Sequence, residues 1–245
     1  VGDAEAGVTY NERETLPWVI RREAPADNQA LRAALYEGAV FHLPASATTR
    51  AVVSATNELL RATLGEEPRA AQFRLGRDAL FQQVGALRRA LYLEERWHTA
   101  ARAVMAERGF AAETTAFDPL RLRVVMHDGD RDPQAAPVYY AHRDTWYAHP
   151  QCQLTWWIAL HDVTPEETFH FFPDWFARAV PNNSEIFNYD DWVRDGWDLK
   201  IGWQRRGADT AEFSRDGATP LNVCGRPGMR ERLCGIVSGL GGSLD

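Results

Sequence analysis

The chain has 245 residues, of which 45% are hydrophobic and 25% charged, and its formal net charge is −7. This composition is typical of a globular protein with a sizeable core. The sequence has no run of Lys or Arg that suggests a nucleic-acid partner, and no apolar stretch of the length that a membrane helix needs. The three cysteines, Cys152, Cys224 and Cys234, lack the spacing of metal ligands, so we expect buried, reduced thiols and a cytoplasmic protein.

The first part of the chain is predicted to be helical, from apolar residues at helical spacing and from the glycines that follow them. The predicted helices cover residues 28–36, about 48–64, 77–92 and 94–108. Asp27 is expected to cap the first helix, and Thr48 or Thr49 the second. Gly65 and Gly109 stand where glycine usually ends a helix.

Strands dominate the pattern after about residue 115. Runs rich in branched and aromatic residues predict four strands there, at residues 120–126, 138–140, 151–160 and 169–172, and one strand in the first part of the chain, at residues 39–43. Arg121 and Arg123 alternate onto one face of their strand, where we expect a solvated or ion-paired surface. A helical segment in front of a β segment predicts an α+β fold with a β-sandwich core.

The segment 214–245 differs in composition from the rest of the chain. It contains no aromatic residue and no His, whereas Gly and Arg are frequent. Such a change is typical of a flexible tail, and also of a GC-rich gene that is read out of frame. We therefore predict one domain over residues 1–213, with helices at about 25–110 and a β core at about 115–213, followed by an atypical tail.

The most informative motif is His142-Arg143-Asp144. On a strand, side chains two residues apart point to the same face, so His142 and Asp144 can hold one metal ion from one side. They would supply two of the three ligands of a facial triad, which leaves open positions on Fe(II). The alternative for these three residues is a surface His beside an Asp–Arg ion pair. The acidic loop at residues 127–130 could also attract a cation, or be a solvated turn.

The order of these features resembles a known enzyme family over roughly residues 25–205. A strand within Gly38-Ala-Val-Phe-His-Leu-Pro44, a long helix, the His-x-Asp pair and the strand Trp157-Ile-Ala-Leu160 occur in this order in the phytanoyl-CoA dioxygenase-like Fe(II)/2-oxoglutarate oxygenases. The resemblance implies a double-stranded β-helix core, of the jelly-roll or cupin-like kind, with an N-terminal helical layer. It implies Fe(II), 2-oxoglutarate and O2, and a small-molecule substrate. Because halogenating relatives lack the ligand carboxylate, Asp144 favours hydroxylation over halogenation.

Residues of the strand that follows the motif are candidates for binding the co-substrate. In a regular strand Gln153, Thr155 and Trp157 share one face, and Trp156 lies on the other. The resemblance places Trp157 beside 2-oxoglutarate, and Gln153 and Thr155 could hydrogen-bond a carboxylate. Trp156 is expected to pack in the core. Plain sheet packing is the alternative for each of these residues.

The chain departs from the family where the third ligand should lie. The family places a distal His after the His-x-Asp pair, and about ten residues later an Arg that pairs with the far carboxylate of 2-oxoglutarate. No His follows His170, which lies 26 residues after Asp144 and is the remaining candidate ligand. The arginines of the tail have no preceding His at the right distance; they are Arg226, Arg230 and Arg232. The alternative is therefore a catalytically incomplete relative, truncated or frame-shifted, that acts as a binding or scaffold protein.

Overall fold

The structure is a computed structural model that describes residues 19–21, 23–133, 135, 143–147, 149–150, 152–163, 167, 170–171, 190, 221–222 and 236–239. The α-helices are α1 (Asn28–Tyr36), α2 (Ala47–Leu64), α3 (Ala71–Arg74), α4 (Arg77–Leu93) and α5 (Glu95–Glu107). The strands are β1 (Val19–Arg21), β2 (Ala39–His42), β3 (Leu154–Trp157), β4 (His170–Phe171), β5 (Leu221–Asn222) and β6 (Ile236–Gly239). Turns of 3-10 helix occupy Pro68–Ala70, Gly129–Arg131 and Asp144–Tyr147.

Helix α1 begins and ends where the sequence predicts. The Asp27 carboxylate accepts a hydrogen bond from the backbone N–H of Ala30 at 2.9 Å, which satisfies a donor that the first turn cannot pair internally. Gly38 follows the helix with φ of +92°, a conformation that side chains disfavour. Leu31 and Leu35 are buried in the core beneath the helix. The predicted cap and the predicted boundaries of this helix are confirmed.

Helix α2 is capped by Ser46, so the prediction of Thr48 or Thr49 is wrong. The Ser46 hydroxyl accepts from the backbone N–H of Thr49 at 3.1 Å, and the Thr49 hydroxyl accepts from the backbone N–H of Ser46 at 2.8 Å. This reciprocal pair is a capping box. The predicted end is confirmed, because α2 stops at Leu64 and Gly65 follows with φ of +88°.

The helices α2, α4 and α5 pack around a shared apolar cluster. Helix α4 turns its buried residues to this cluster at helical spacing: Leu80, Val84, Leu87 and Leu91. Trp97 contributes the largest side chain and comes from α5. Burial of each large side chain stabilises the fold by roughly 1.5–3 kcal/mol, so the predicted helical layer has a core of its own.

The segment 120–126 packs against this cluster, and the prediction that it is a strand is wrong. Alternate residues contact the cluster: Leu120, Leu122, Val124 and Met126. Arg121 and Arg123 are exposed between them, and Arg121 pairs with Asp118 at 3.0 Å. The ion-paired surface is confirmed for Arg121. The alternating pattern arises here from packing on helices, and none of these seven residues belongs to a strand.

A four-stranded sheet has the order β1-β2-β6-β3. Strands β1 and β2 are parallel, whereas β6 is antiparallel to both β2 and β3. Strand β6 comes from the segment 214–245, and its backbone joins β2 to β3. The domain boundary near residue 213 and the β-helix core stay predictions.

One face of this sheet packs on the helical side of the molecule. Phe41 and Trp156 both pair in register with Val237, and both belong to one cluster with Leu35. The Trp156 ring meets the Phe110 ring edge to face, with ring centroids 5.7 Å apart. The prediction that Trp156 packs in the core is confirmed.

Other sequence predictions meet the structure in part. Among the described residues of the predicted strand 151–160, Leu154–Trp157 form a strand; of the predicted strand 169–172 the structure describes His170–Phe171, which form a strand paired with β5. Residues 138–140 lie outside the described residues. Cys152 is exposed in the turn before β3, so its predicted burial is wrong, and Cys224 and Cys234 lie outside the described residues. Among the described residues, no helix combines the length and apolar character required to cross a membrane.

Candidate functional site

Asp144 is the first residue of the 3-10 helix Asp144–Tyr147, so the prediction that it lies on a strand is wrong. Its side chain is half-buried. His142 lies outside the described residues, and the pair of ligands therefore stays a prediction. What the structure describes is the carboxylate half of the motif and its surroundings.

The Asp144 carboxylate contacts strand β3. The hydroxyl of Thr155 donates a hydrogen bond to Asp144 Oδ2 at 2.8 Å, in a partly buried environment. A tight turn makes this contact possible, because the backbone N–H of Gln153 donates to the Pro150 carbonyl at 3.0 Å and leads the chain into β3. Two residues that the sequence singles out for different reasons, Asp144 and Thr155, thus lie in direct contact.

The sheet face that carries Thr155 is opposite to the face that packs in the core. Side chains alternate along a strand, and Leu154 and Trp156 belong to the core cluster. Thr155 and Trp157 therefore point the other way, and Trp157 is half-buried there. The predicted common face of Thr155 and Trp157 is confirmed. Gln153 is half-buried just before β3, in the turn and outside the strand.

His42 lies on the same face, although no motif in the sequence gives it a functional role. It pairs in register with Ile236, which also pairs with Trp157, so two strand spacings, about 10 Å, separate His42 from Trp157. The His42 side chain is 6% exposed, and Val40 beside it on this face is fully buried. Alternation along residues 39–42 predicts that His42 and Phe41 lie on opposite faces, but it does not predict which face packs in the core.

Arg143, between the two predicted ligands, is half-buried. Burial lowers the pKa of its guanidinium, because a cation loses hydration in the protein. The described half of the motif therefore holds a carboxylate and a partly desolvated cation next to each other in sequence. This polar environment differs from the apolar core on the other face of the sheet.

The acidic loop near His127 has the geometry of a surface turn. His127 is exposed, with its ring nitrogen Nε2 3.8 Å from the Asp128 carboxylate. Arg131 pairs with the same carboxylate at 3.2 Å. These contacts favour the solvated turn over a cation site, since an arginine already occupies the vicinity of the carboxylate.

The described residues supply one ligand of the expected iron site, Asp144. Groups of three or more His, Cys, Asp or Glu that could hold a metal ion are not found among them. His170 has its backbone in β4, paired with β5, and its role as third ligand stays a prediction. The tail arginines Arg226, Arg230 and Arg232 lie outside the described part of the chain. The donor chemistry at Asp144 fits a divalent cation such as Fe(II), but it does not complete a site.

No protein-family model, no curated protein and no solved structure matches this chain. The assignment of a function therefore depends on the chemistry of the site residues. The best-defined element of that chemistry is the carboxylate of Asp144, held by the Thr155 hydroxyl on the face that also carries Trp157.

Proposed function

We propose that the chain is a non-haem Fe(II)/2-oxoglutarate-dependent dioxygenase that hydroxylates a small organic molecule. The observation that supports this proposal is the hydrogen bond between Thr155 and Asp144. It brings the carboxylate of the His-x-Asp motif onto the strand in which the family resemblance expects co-substrate-binding residues. A carboxylate with a hydrogen-bonding partner of its own is typical of protein metal sites.

In this proposal His142 and Asp144 hold Fe(II), while Trp157, Gln153 and Thr155 lie beside 2-oxoglutarate. Bound Fe(II) and 2-oxoglutarate supply an oxidant from O2 that is strong enough to hydroxylate an unactivated C–H bond. The chain supplies the surroundings. Asp144 offsets part of the metal charge, and the aromatic face of Trp157 forms an apolar wall that keeps water away from a reactive site.

The proposed architecture is a double-stranded β-helix core with an N-terminal helical layer. The four-stranded sheet supports the α+β part of this proposal, because helix α1 packs on one of its faces, whereas the β-helix core is implied by the family resemblance alone. A cytoplasmic location belongs to the same proposal, supported by three cysteines without metal-ligand spacing.

Anaerobic absorption spectroscopy with Fe(II) and 2-oxoglutarate tests the proposal. The native chain should give a visible metal-to-ligand charge-transfer band, and His142→Ala and Asp144→Ala should lose it. His161→Ala is the matched control, because His161 is exposed and its ring contacts the Asp162 carbonyl at 2.7 Å. Absence of the band in the native chain, at saturating Fe(II), would refute the proposal.

A second candidate is a catalytically incomplete relative that serves as a binding or scaffold protein. The observation that favours it is the lack of any His after His170, where the family places its third ligand. Reading the gene in all three frames after about codon 205 separates the candidates. An alternate frame that encodes a His followed by an Arg would identify a frame error, whereas submicromolar Fe(II) affinity of the intact chain would refute incompleteness.

A further inference from the structure

The Thr155 hydroxyl has one hydrogen to donate, and Asp144 receives it. A threonine hydroxyl carries a single O–H, and its oxygen lies 2.8 Å from Asp144 Oδ2. While this bond is present, the same hydrogen cannot be donated to a carboxylate of a bound co-substrate. We infer that Thr155 is a positioning residue, which fixes the Asp144 carboxylate for a divalent metal and does not bind 2-oxoglutarate directly. This inference rests on the proposed function.

The backbone around Thr155 restricts the position of its hydroxyl group. Thr155 lies inside β3, and its register partner in β6 is Ser238. Its branched Cβ restricts the rotation of the side chain. The hydroxyl therefore has a defined position in the sheet, independent of the 3-10 helix that carries Asp144.

The carboxylate of Asp144 needs such a partner. Rotation about the last bond of an aspartate side chain has broad minima, so the carboxylate plane is poorly determined without an external contact. Hydrogen bonds to an ionised carboxylate are stronger than neutral ones, and this bond is partly buried. Loss of a partner that orients a metal ligand typically weakens metal affinity by about 10–100-fold.

Titration of the full chain with Mn(II), followed by electron paramagnetic resonance of the unbound ion, measures this effect without turnover. Thr155→Val removes the hydroxyl at nearly the same volume and should weaken Mn(II) binding by about 10–100-fold. Thr155→Ser keeps the hydroxyl and should restore near-native affinity. The matched control is Thr63→Val, because the Thr63 hydroxyl donates to the Leu59 carbonyl at 2.9 Å within α2. Native affinity in Thr155→Val would overturn the inference.

The affinity for 2-oxoglutarate at saturating Mn(II) separates the two roles of Thr155. A positioning residue leaves this affinity within about twofold of the native value once the metal is bound, a change of under 0.5 kcal/mol. If Thr155→Val weakens 2-oxoglutarate binding but leaves Mn(II) binding unchanged, the direct role is correct and the inference is overturned.

A measurement without metal tests the contact between Thr155 and Asp144 itself. It remains informative if the native chain binds no Mn(II), a result that would refute the proposed function. The unfolding equilibrium constants of the native chain, Thr155→Val, Asp144→Ala and the double variant form a cycle. A coupling of about fivefold in the unfolding equilibrium constant, the size of one net hydrogen bond, would support a stabilising hydrogen bond between Thr155 and Asp144. Additive effects of the two substitutions would overturn it.

Discussion

Strand β3 places two neighbouring tryptophans on opposite faces, which predicts opposite consequences of removing them. Trp156 packs against Phe110 and lies in the cluster under α1. Trp157 points to the face of Thr155. We expect Trp156→Ala to impair stability, and Trp157→Ala to impair the binding of Fe(II) with 2-oxoglutarate while it changes stability less.

The magnitude for Trp156→Ala follows from its contacts. Truncation of a core aromatic residue costs roughly 3–5 kcal/mol, and an edge-to-face ring pair accounts for about 0.5–1.5 kcal/mol beyond burial. Trp156 keeps part of its surface in contact with solvent, so the lower end applies, about 3 kcal/mol. For Trp157→Ala we expect about 1 kcal/mol, the usual size for a single substitution, because the half-buried Trp157 lies outside the cluster that contains Trp156.

Urea denaturation followed by helical circular dichroism measures both free energies of unfolding. A cycle with Phe110→Ala isolates the ring pair, and its coupling should be about 0.5–1.5 kcal/mol. The same cycle between Trp157 and Phe110 is the control and should give additive effects. If Trp157→Ala is the more destabilising substitution, or if Trp156 and Phe110 show no coupling, the two faces of β3 are not as described.

Three further predictions concern the helical layer. Ser46→Ala should lower the free energy of unfolding by about 1 kcal/mol, because it removes the cap of α2. Asn57→Ala should lower it by about 1–3 kcal/mol, since the Asn57 amide donates to the Leu160 carbonyl at 2.8 Å and the lost bond leaves a partly buried acceptor unpaired. Hydrogen bonding to Arg102 lowers the pKa of Glu95, so Arg102→Gln should raise that pKa, as measured by carboxyl NMR titration.

The controls for these three predictions come from neighbouring positions. Ser54→Ala removes an exposed hydroxyl in the middle of α2 and should be nearly neutral; a loss equal to that of Ser46→Ala would contradict the cap. Asn57→Asp tests the amide donor, and a native stability of this variant would contradict the bond to Leu160. A carboxyl with lowered pKa stabilises the fold above its unfolded pKa and loses this effect as pH falls through the folded pKa. The native chain should therefore lose its advantage over Arg102→Gln in acid; an advantage that persists there would contradict the assignment to Glu95.

Local signals account for the parts of the fold that the sequence predicts well. Helix ends depend on residues that are close to them in sequence. Asp27 caps the start of α1, and a glycine at positive φ follows the end of three helices: Gly38, Gly65 and Gly109. Ser46 was missed because three hydroxyl residues stand within four positions, and only the backbone geometry decides which one caps α2.

Long-range packing decides the parts that the sequence could not predict. The apolar residues of segment 120–126 alternate with the period of a strand, but they are buried by packing against the helical cluster and not by pairing in a sheet. The contact between Asp144 and Thr155 depends on the turn at Pro150, and neither residue type implies it. The place of His42 depends on which face of β2 is covered by α1, which periodicity alone leaves undetermined.

The position of β6 has a consequence for the order of folding. The cluster of α2, α4 and α5 joins residues that are near in sequence, so it can form while the chain is still being synthesised. Strands β2 and β3 are bridged by residues 236–239, which leave the ribosome long after β2. Contacts between distant residues are slow to form, because the intervening chain must first be closed into a loop. We therefore expect the helical layer to protect its amides from hydrogen exchange early in refolding, and the sheet face that carries Thr155 to be completed last.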